Sequence, residues 1–165
     1  MLNPALDIGT YVVDGFAKVC DVEPNVWQTW LYKNIDESLM YSSHRSWVYM
    51  IVDNKEIVKI GETSKTLGLR QKKNNQPKTG SKSRLGRYRE GDTTDAVIRG
   101  ALESAVSQGR VSIWARQCQM HKINLRFNGQ EDEAMTSCHE DIEKKYLDLI
   151  FSAAKRYPRL NKRRA

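Results

Sequence analysis

The amino-acid sequence predicts an α/β domain in which helices flank a small, mainly antiparallel sheet of three or four strands. Three observations carry this prediction. Residues 46–61 alternate around a turn as a β-hairpin, the segment "VSIWA" at 111–115 alternates as a further strand, and "EDIEKKYLDLIFSAAKRY" near the end has helical periodicity. Residues 1–45 are predicted to be an N-terminal helical extension, and residues 46–165 form the main domain.

The hairpin is the segment "WVYMIVDNKEIVKIGET", Trp47 to Thr63. One strand face carries Val48, Met50 and Val52, and the other carries Trp47, Tyr49 and Ile51. Large side chains on both faces predict a sheet that is covered on both sides, with "DNKE" as the turn and Gly61 at the end of the second strand.

Three further segments complete the predicted elements. Thr63 or Ser64 is expected to cap a helix that places Arg70 about two turns in. "DTTDAVIRGALESAVSQGR" is expected to bury Val97, Ala101, Leu102 and Ala105 on one helix face and to stop at Gly109. "KINLRF" is a candidate fourth strand before the turn Asn128-Gly129. The last helix carries an apolar stripe of Ile142, Tyr146, Leu149 and Ile150, with Glu143 beside it near the helix start.

Residues 17–31, "AKVCDVEPNVWQTWL", fit a helix-turn-helix pattern. Trp27 and Trp30 would be core positions of the second helix, and Gln28 would be an exposed adenine reader. Residues 1–45 contain six acidic and three basic residues, however, which is unusual for a groove-binding module. The alternative is an ordinary helical pair that packs on the sheet.

The positive charge is concentrated in one stretch. The chain has a net charge of +7, but residues 59–89 alone carry ten basic residues and one acid, a net of +9, so the remainder sums to −2. Such a concentration favours a polyanionic partner, and the basic segment 63–92 is the predicted DNA-binding segment. The candidate DNA contacts in it are Lys65, Lys72, Lys73, Lys82, Arg84, Arg87, Tyr88 and Arg89.

Other classes of protein are disfavoured. No apolar run approaches the roughly 18 residues of a membrane span, and the N-terminus lacks the features of a signal peptide. Three widely spaced cysteines do not make a disulfide framework and indicate a reducing, cytoplasmic compartment. A zinc site built from Cys118, His121, Cys138 and His139 is disfavoured because adjacent residues rarely both point at one ion.

The hairpin resembles the GIY-YIG nuclease family. "WVY" at 47–49 and "KIG" at 59–61, followed by "ET" and Arg70, are similar to the two short motif strands and the helical arginine of that family. Tyr49 and Lys59 are ten positions apart, and Gly61 and Arg70 are nine apart. "DIE" at 141–143 and Asn161 are similar to the C-terminal region of the family's phage members, so the resemblance extends over 46–160.

The resemblance implies roles for five residues. Tyr49 would be the general base or would orient the attacking water, and Gly61 would let the backbone pass close to the phosphate. Arg70 would stabilise the pentavalent phosphate. Glu143 would be the sole protein ligand of one Mg²⁺ or Mn²⁺ ion, with Glu140 one turn away as the alternative. Lys59 stands where many members have tyrosine and, beside Tyr49, is expected to lower the phenol pKa.

Two positions depart from the family pattern or have no assigned role. Trp47 replaces the first glycine, and Glu62 occupies a position where some relatives have His or Lys; it receives no role.

The function implied is a metal-dependent endonuclease of restriction or phage type that cleaves double-stranded DNA, as a homodimer or higher homo-oligomer if both strands are cut. Two alternatives are a DNA-binding regulator that has the fold but no catalysis and a structural RNA-binding protein.

Overall fold

A computed structural model describes residues 1–26, 29–68, 83–90 and 95–161. Its main feature is a five-stranded antiparallel sheet in the order β2-β1-β5-β3-β4, beside a separate two-stranded sheet of β6 and β7. The strands are β1 (Ala17–Pro24), β2 (Trp30–Lys33), β3 (Trp47–Asp53), β4 (Glu56–Thr63), β5 (Val111–Gln117), β6 (Met120–Phe127) and β7 (Gln130–Ser137). The α-helices are α1 (Glu37–Met40), α2 (Arg84–Glu90), α3 (Ala96–Ala101), α4 (Glu103–Ser107) and α5 (His139–Ala154), and 3-10 helices cover Pro4–Leu6 and Ile8–Asp14. In the described residues, no helix combines the length and the apolarity that crossing a membrane requires.

The predicted hairpin is confirmed as β3 and β4. Tyr49 lies opposite Gly61 and Ile51 lies opposite Lys59, with an irregularity between Ile51 and Val52. Asn54 at the turn has a φ of 61°, a left-handed conformation that asparagine tolerates better than most residues. Strand β4 continues two residues past Gly61, to Thr63, so Gly61 lies within the strand and does not end it.

The sheet is covered on both faces, as the two apolar faces of the hairpin predict. Trp47, Tyr49 and Ile51 belong to a core that includes residues of α2 and α4. Val48, Met50 and Val52 belong to a second core, formed with the 3-10 helices and α5. Burial of an aliphatic or aromatic side chain stabilises the fold by about 1.5–3 kcal/mol, so this double covering fixes the hairpin rigidly.

The predicted helix-turn-helix at 17–31 is wrong. Ala17–Pro24 is strand β1, which pairs with β2 on one side and with β5 on the other. The buried residues Val19, Cys20 and Val22 suit a pleated surface, and Pro24 lies at the last position of its strand, where a missing N–H is tolerated. The N-terminal segment therefore contributes strands to the central sheet, and α1 is its α-helix among the described residues 1–26 and 29–45.

Three other expectations need correction. The stretch after Phe127, for which the sequence predicted only the turn at Asn128 and Gly129, forms β7, which pairs with β6. Val97 is 79% exposed and Ala101 is exposed as well, whereas Leu102 and Ala105 are buried as predicted. Leu149 is 59% exposed, and Leu147 takes its place in the buried stripe of α5. Helix α5 and its other predicted apolar positions, Ile142, Tyr146 and Ile150, are confirmed. The fold class is as predicted, but the central sheet has five strands and not three or four.

Candidate active site

A cleft of about 530 Å³ opens where α2 and α5 approach β4. In the described part of the sheet β4 is one of the two edge strands, the other being β2. Helix α2 packs on the sheet face that carries Tyr49, and α5 packs on the opposite face. Side chains from both faces therefore meet around this edge. The cleft is lined by Tyr49, Lys59, Gly61, Glu62, Thr63, Ser64, Lys65, Arg84, Arg87, His139, Glu140 and Glu143.

Gly61 allows Tyr49 to lie flat against the opposite strand. A Cβ atom at position 61 would lie 2.7 Å from Cε1 of Tyr49 and would also overlap Cζ and the hydroxyl. Such approaches are shorter than any real carbon contact. The glycine therefore serves the packing of the tyrosine ring, a role different from the close phosphate approach that the resemblance implies.

Arg84 organises one side of the cleft, which we call the α2 wall (Tyr49, Arg84, Tyr88 and Asp95). Its Nε donates to the Tyr49 hydroxyl at 2.8 Å, and its Nη2 donates to the Tyr88 hydroxyl at 3.2 Å. Its guanidinium also forms a two-pronged ion pair with Asp95, at 2.8 and 2.9 Å. The Asp95 side chain is only 4% exposed, so this carboxylate depends on the arginine for its stabilisation.

The pKa of Tyr49 is raised above its ordinary value, mainly by burial. The cation of Arg84 and the hydrogen bond from Tyr88 oppose this shift but do not reverse it. The expectation that Lys59 lowers the pKa of Tyr49 is therefore wrong, because removal of the phenol from water outweighs the neighbouring positive charge. Tyr49 keeps its proton at neutral pH.

The other side of the cleft, the α5 wall, consists of Glu62, His139, Glu140 and Glu143. Nε2 of His139 lies 3.0 Å from Oε2 of Glu62. The other ring nitrogen, Nδ1, lies 2.8 Å from the hydroxyl of Ser137 and 3.3 Å from that of Ser46, and these two hydroxyls also bond to each other. Glu143 is 8% exposed and lines the same cleft, one helical turn after His139.

Four of the five sequence-predicted catalytic residues can now be placed. Tyr49, Lys59, Gly61 and Glu143 all line the cleft, as does the alternative ligand Glu140. Arg70 lies outside the described residues. Arg84, expected from sequence only as a DNA contact, is the arginine that bonds to Tyr49.

The predicted DNA contacts separate into four groups. Lys65, Arg84 and Arg87 line the cleft, and Arg89 is half-buried beside it on α2. Tyr88 is fully buried and stacks on Trp30 with ring centroids 4.8 Å apart, so it is a core residue and not an exposed contact. Asn161 bonds to both backbone groups of Ile60 at 2.8 Å, which gives it a structural role along the edge of β4. Gln28, Lys72, Lys73 and Lys82 lie outside the described residues.

Sequence reasoning missed Asp95, considered His139 only within a disfavoured zinc site and gave Glu62 no role. One signal was present for His139, because it precedes Glu143 by four residues and therefore shares its helix face. Arg84 and Tyr88 have the same four-residue spacing on α2. The pairing of Glu62 with His139 joins β4 to α5 across 77 positions of sequence, and no local pattern marks it.

The fold is that of a known nuclease, although the sequence comparisons find no relative. No family model and no curated protein matches this chain. Among solved structures, the chain is similar to a mutant of bacteriophage T4 EndoII, a GIY-YIG nuclease, with a TM-score of 0.59 and 19% identity over 94% of this chain and 98% of that one. It is also similar to the restriction endonuclease HPY188I in complex with product DNA, with a TM-score of 0.48 and 18% identity over 93% of this chain and 84% of that one. The fold that the hairpin resemblance implies is thereby confirmed by the EndoII comparison.

Proposed function

We propose that this chain is a metal-dependent endonuclease of the GIY-YIG type that hydrolyses phosphodiester bonds in double-stranded DNA. The observation that carries the proposal is the composition of the cleft. A phenol and a lysine from the β3–β4 hairpin, arginines from α2 and a buried carboxylate from α5 line one cavity of about 530 Å³. The fold similarity to EndoII supports the same reading.

The basic residues of the cleft suit a phosphate. Lys65, Arg84 and Arg87 supply positive charge on the α2 side of the cavity. Charge-assisted hydrogen bonds from such groups are the usual way to stabilise the extra negative charge of a pentavalent phosphate. Arg84 bonds to Tyr49 and is also ion-paired with Asp95. The phosphate role that the resemblance gives to Arg70 remains a sequence prediction.

Tyr49 acts in this proposal as a protonated hydroxyl. Its oxygen accepts a hydrogen bond from Nε of Arg84, which leaves the phenolic proton for donation. Because its pKa is raised, the tyrosine orients the attacking water or a phosphate oxygen and does not act as a pre-ionised base. Lys59, which also lines the cleft, positions the water from the neighbouring strand.

Glu143 is the residue proposed to hold the divalent cation. Its carboxylate reaches the cleft from α5, and a single carboxylate with room for water in the cavity fits a hard cation such as Mg²⁺. A bound ion would supply Lewis-acid stabilisation of the leaving oxygen. Cleavage of both strands would require two chains on the duplex, so we propose a homodimer or higher homo-oligomer as the active form.

The experiment is incubation of supercoiled plasmid with purified protein and Mg²⁺, with and without EDTA. Glu143→Gln is the test variant, and Glu133→Gln, an exposed carboxylate on β7, is the matched control. We expect nicked or linear DNA from the wild-type and control proteins, and intact DNA from Glu143→Gln or after chelation. DNA that is shifted on a gel but never cut would instead identify a DNA-binding protein without catalysis. A preference for RNA in competition would favour the RNA-binding alternative.

A further inference from the structure

A second group of potential metal ligands lies on the α5 wall, apart from Glu143. One ligand atom each of Glu62, His139 and Glu140 lies within 4.8 Å of the others, which makes this the one such group in the described parts of the chain. The group combines β4 with the first turn of α5. Two carboxylates and an imidazole at this spacing need only a small movement of the exposed Glu140 to meet on one ion.

The histidine is held in the orientation that a metal ligand requires. Its ring is 9% exposed, and Nδ1 faces the hydroxyls of Ser137 and Ser46. Nε2 is thereby directed at the carboxylate of Glu62. Metal-binding histidines characteristically donate their second ring nitrogen to such a partner, which fixes both the tautomer and the ring direction. The two serines are not part of the ligand group, so they are an independent sign that Nε2 is aimed at the cleft.

We propose that Glu62, His139 and Glu140 form a binding site for a divalent transition-metal ion, distinct from the Glu143 position. The imidazole determines the class of ion. Carboxylates and water suit Mg²⁺, Ca²⁺ and Mn²⁺, whereas an imidazole ligand favours transition-metal ions over Mg²⁺ and Ca²⁺. Mn²⁺ accepts both kinds of ligand and therefore serves as the spectroscopic probe of this site. When Nε2 binds the ion, Nδ1 carries the ring proton and donates it to the hydroxyl of Ser137. The ion displaces the direct contact between Glu62 and His139.

A metal ion at this site would also affect DNA cleavage, and this consequence rests on the proposed function. It lies in the same cleft as Glu143, so an ion held there adds positive charge to that of Lys59, Lys65 and Arg87, which also line the cleft. The scissile phosphate would then meet positive charge from both sides of the β4 edge. Cleavage should therefore be faster with Mn²⁺ than with Mg²⁺ at equal concentration.

The test measures Mn²⁺ binding to the full chain without DNA, so it does not depend on cleavage. Free Mn²⁺ is followed by electron paramagnetic resonance during a titration, and pulsed spectra of the bound ion are examined for coupling to a ¹⁴N nucleus. We expect wild-type protein to show imidazole coupling. We expect His139→Gln to lose this coupling and to bind Mn²⁺ at least about tenfold more weakly, as even loss of a supporting partner costs that much.

Control variants separate this site from the rest of the molecule. His121→Gln changes an exposed histidine on β6 and should retain the coupling. Glu62→Gln and Glu140→Gln keep the imidazole in place and should also weaken binding, which guards against a His139 variant that fails to fold. Circular dichroism of each variant checks the fold.

Two outcomes decide the proposal. Unchanged Mn²⁺ affinity in His139→Gln, or a wild-type spectrum without nitrogen coupling, would overturn it. Glu143→Gln should abolish cleavage yet retain the nitrogen-coupled Mn²⁺. If wild-type protein shows that signal but never cuts DNA, the metal site stands and the proposed nuclease function fails.

Discussion

The two walls of the cleft differ in how their charged groups are paired and in how far those groups are exposed to water. On the α2 wall, Arg84 bonds to Asp95 and to two phenols, and the whole network is largely removed from water. On the α5 wall, the Glu62 side chain is 30% exposed and Glu140 is exposed at the cleft mouth. Charged groups that are paired with one another keep a fixed arrangement of side chains. Solvent-accessible ligands, in contrast, can exchange their contacts for a bound ion. The difference predicts that mutations on the α2 wall act mainly on stability and those on the α5 wall mainly on binding.

The largest effect on stability is expected for Arg84→Ala. The substitution leaves the Asp95 carboxylate buried without its ion-pair partner, and breaking a buried pair in this way costs about 3–5 kcal/mol. Urea denaturation should show a loss of this size in the free energy of unfolding. The matched control is Arg126→Ala on β6, whose ion pair with Glu131 is 76% and 75% exposed. The control should change stability by less than about 1 kcal/mol. Equal losses in the two variants would show that the α2 wall is not the more tightly coupled one.

A smaller effect is expected for Gly61→Ala. The new methyl group would overlap the ring of Tyr49, and overpacking of this kind costs about 1–3 kcal/mol. Displacement of the ring should also weaken the bond from Arg84 and reduce DNA cleavage. Gly100→Ala in α3 is the control, since a Cβ there meets nothing within 4 Å. It should leave stability unchanged or raise it by up to about 1 kcal/mol. Similar melting temperatures for both variants would contradict the proposed packing role.

Asn161→Ala tests whether Asn161, which belongs to neither wall, stabilises strand β4. The variant leaves the amide and carbonyl of Ile60 without their side-chain partner. An unsatisfied backbone group costs about 1–3 kcal/mol if it stays buried, and less if water reaches it. We expect a loss near the lower end of that range. Asn124→Ala on the exposed β6 strand is the control. Unchanged stability but weaker DNA binding would restore the DNA-contact role predicted from sequence.

The smallest effect on stability at neutral pH is expected from the ionisation of Tyr49 and Tyr88 on the α2 wall. Burial raises the pKa of Tyr49 and of Tyr88 in the folded protein. In the unfolded chain both titrate near a pH of about 10. A group whose folded pKa is raised contributes its stability below the unfolded pKa, so unfolding free energy should be unaffected up to about pH 9 and should fall as the pH rises through 10. Tyr49→Phe should reduce the slope of that fall. An identical slope in wild type and variant would mean that the Tyr49 pKa is not raised.

Sequence reasoning succeeded where local pattern and burial agree. The hairpin, its two faces and the positions of Tyr49, Lys59 and Glu143 in one cleft follow from alternation, helical periodicity and the family resemblance. It failed at residues 17–31, because a short apolar pattern with a proline fits both a helix start and a strand end. The Glu62–His139 pair and the Asp95 partner of Arg84 depend on how distant elements meet, so they became visible only in the assembled fold.

The strand order also determines when the molecule can assemble. Strand β1 pairs with β2 and with β5, and β5 separates it from β3 and begins only at Val111. During synthesis the β3–β4 hairpin can close as soon as it emerges, whereas β1 and β2 must wait for about 80 further residues before the centre of the sheet exists. Non-local pairing of this kind slows folding and leaves unpaired strands exposed meanwhile. The residues that line the cleft are brought together late, since α5 follows β5 in the chain. A ribosome-bound nascent chain that ends before Val111 should therefore contain the hairpin but not the cleft.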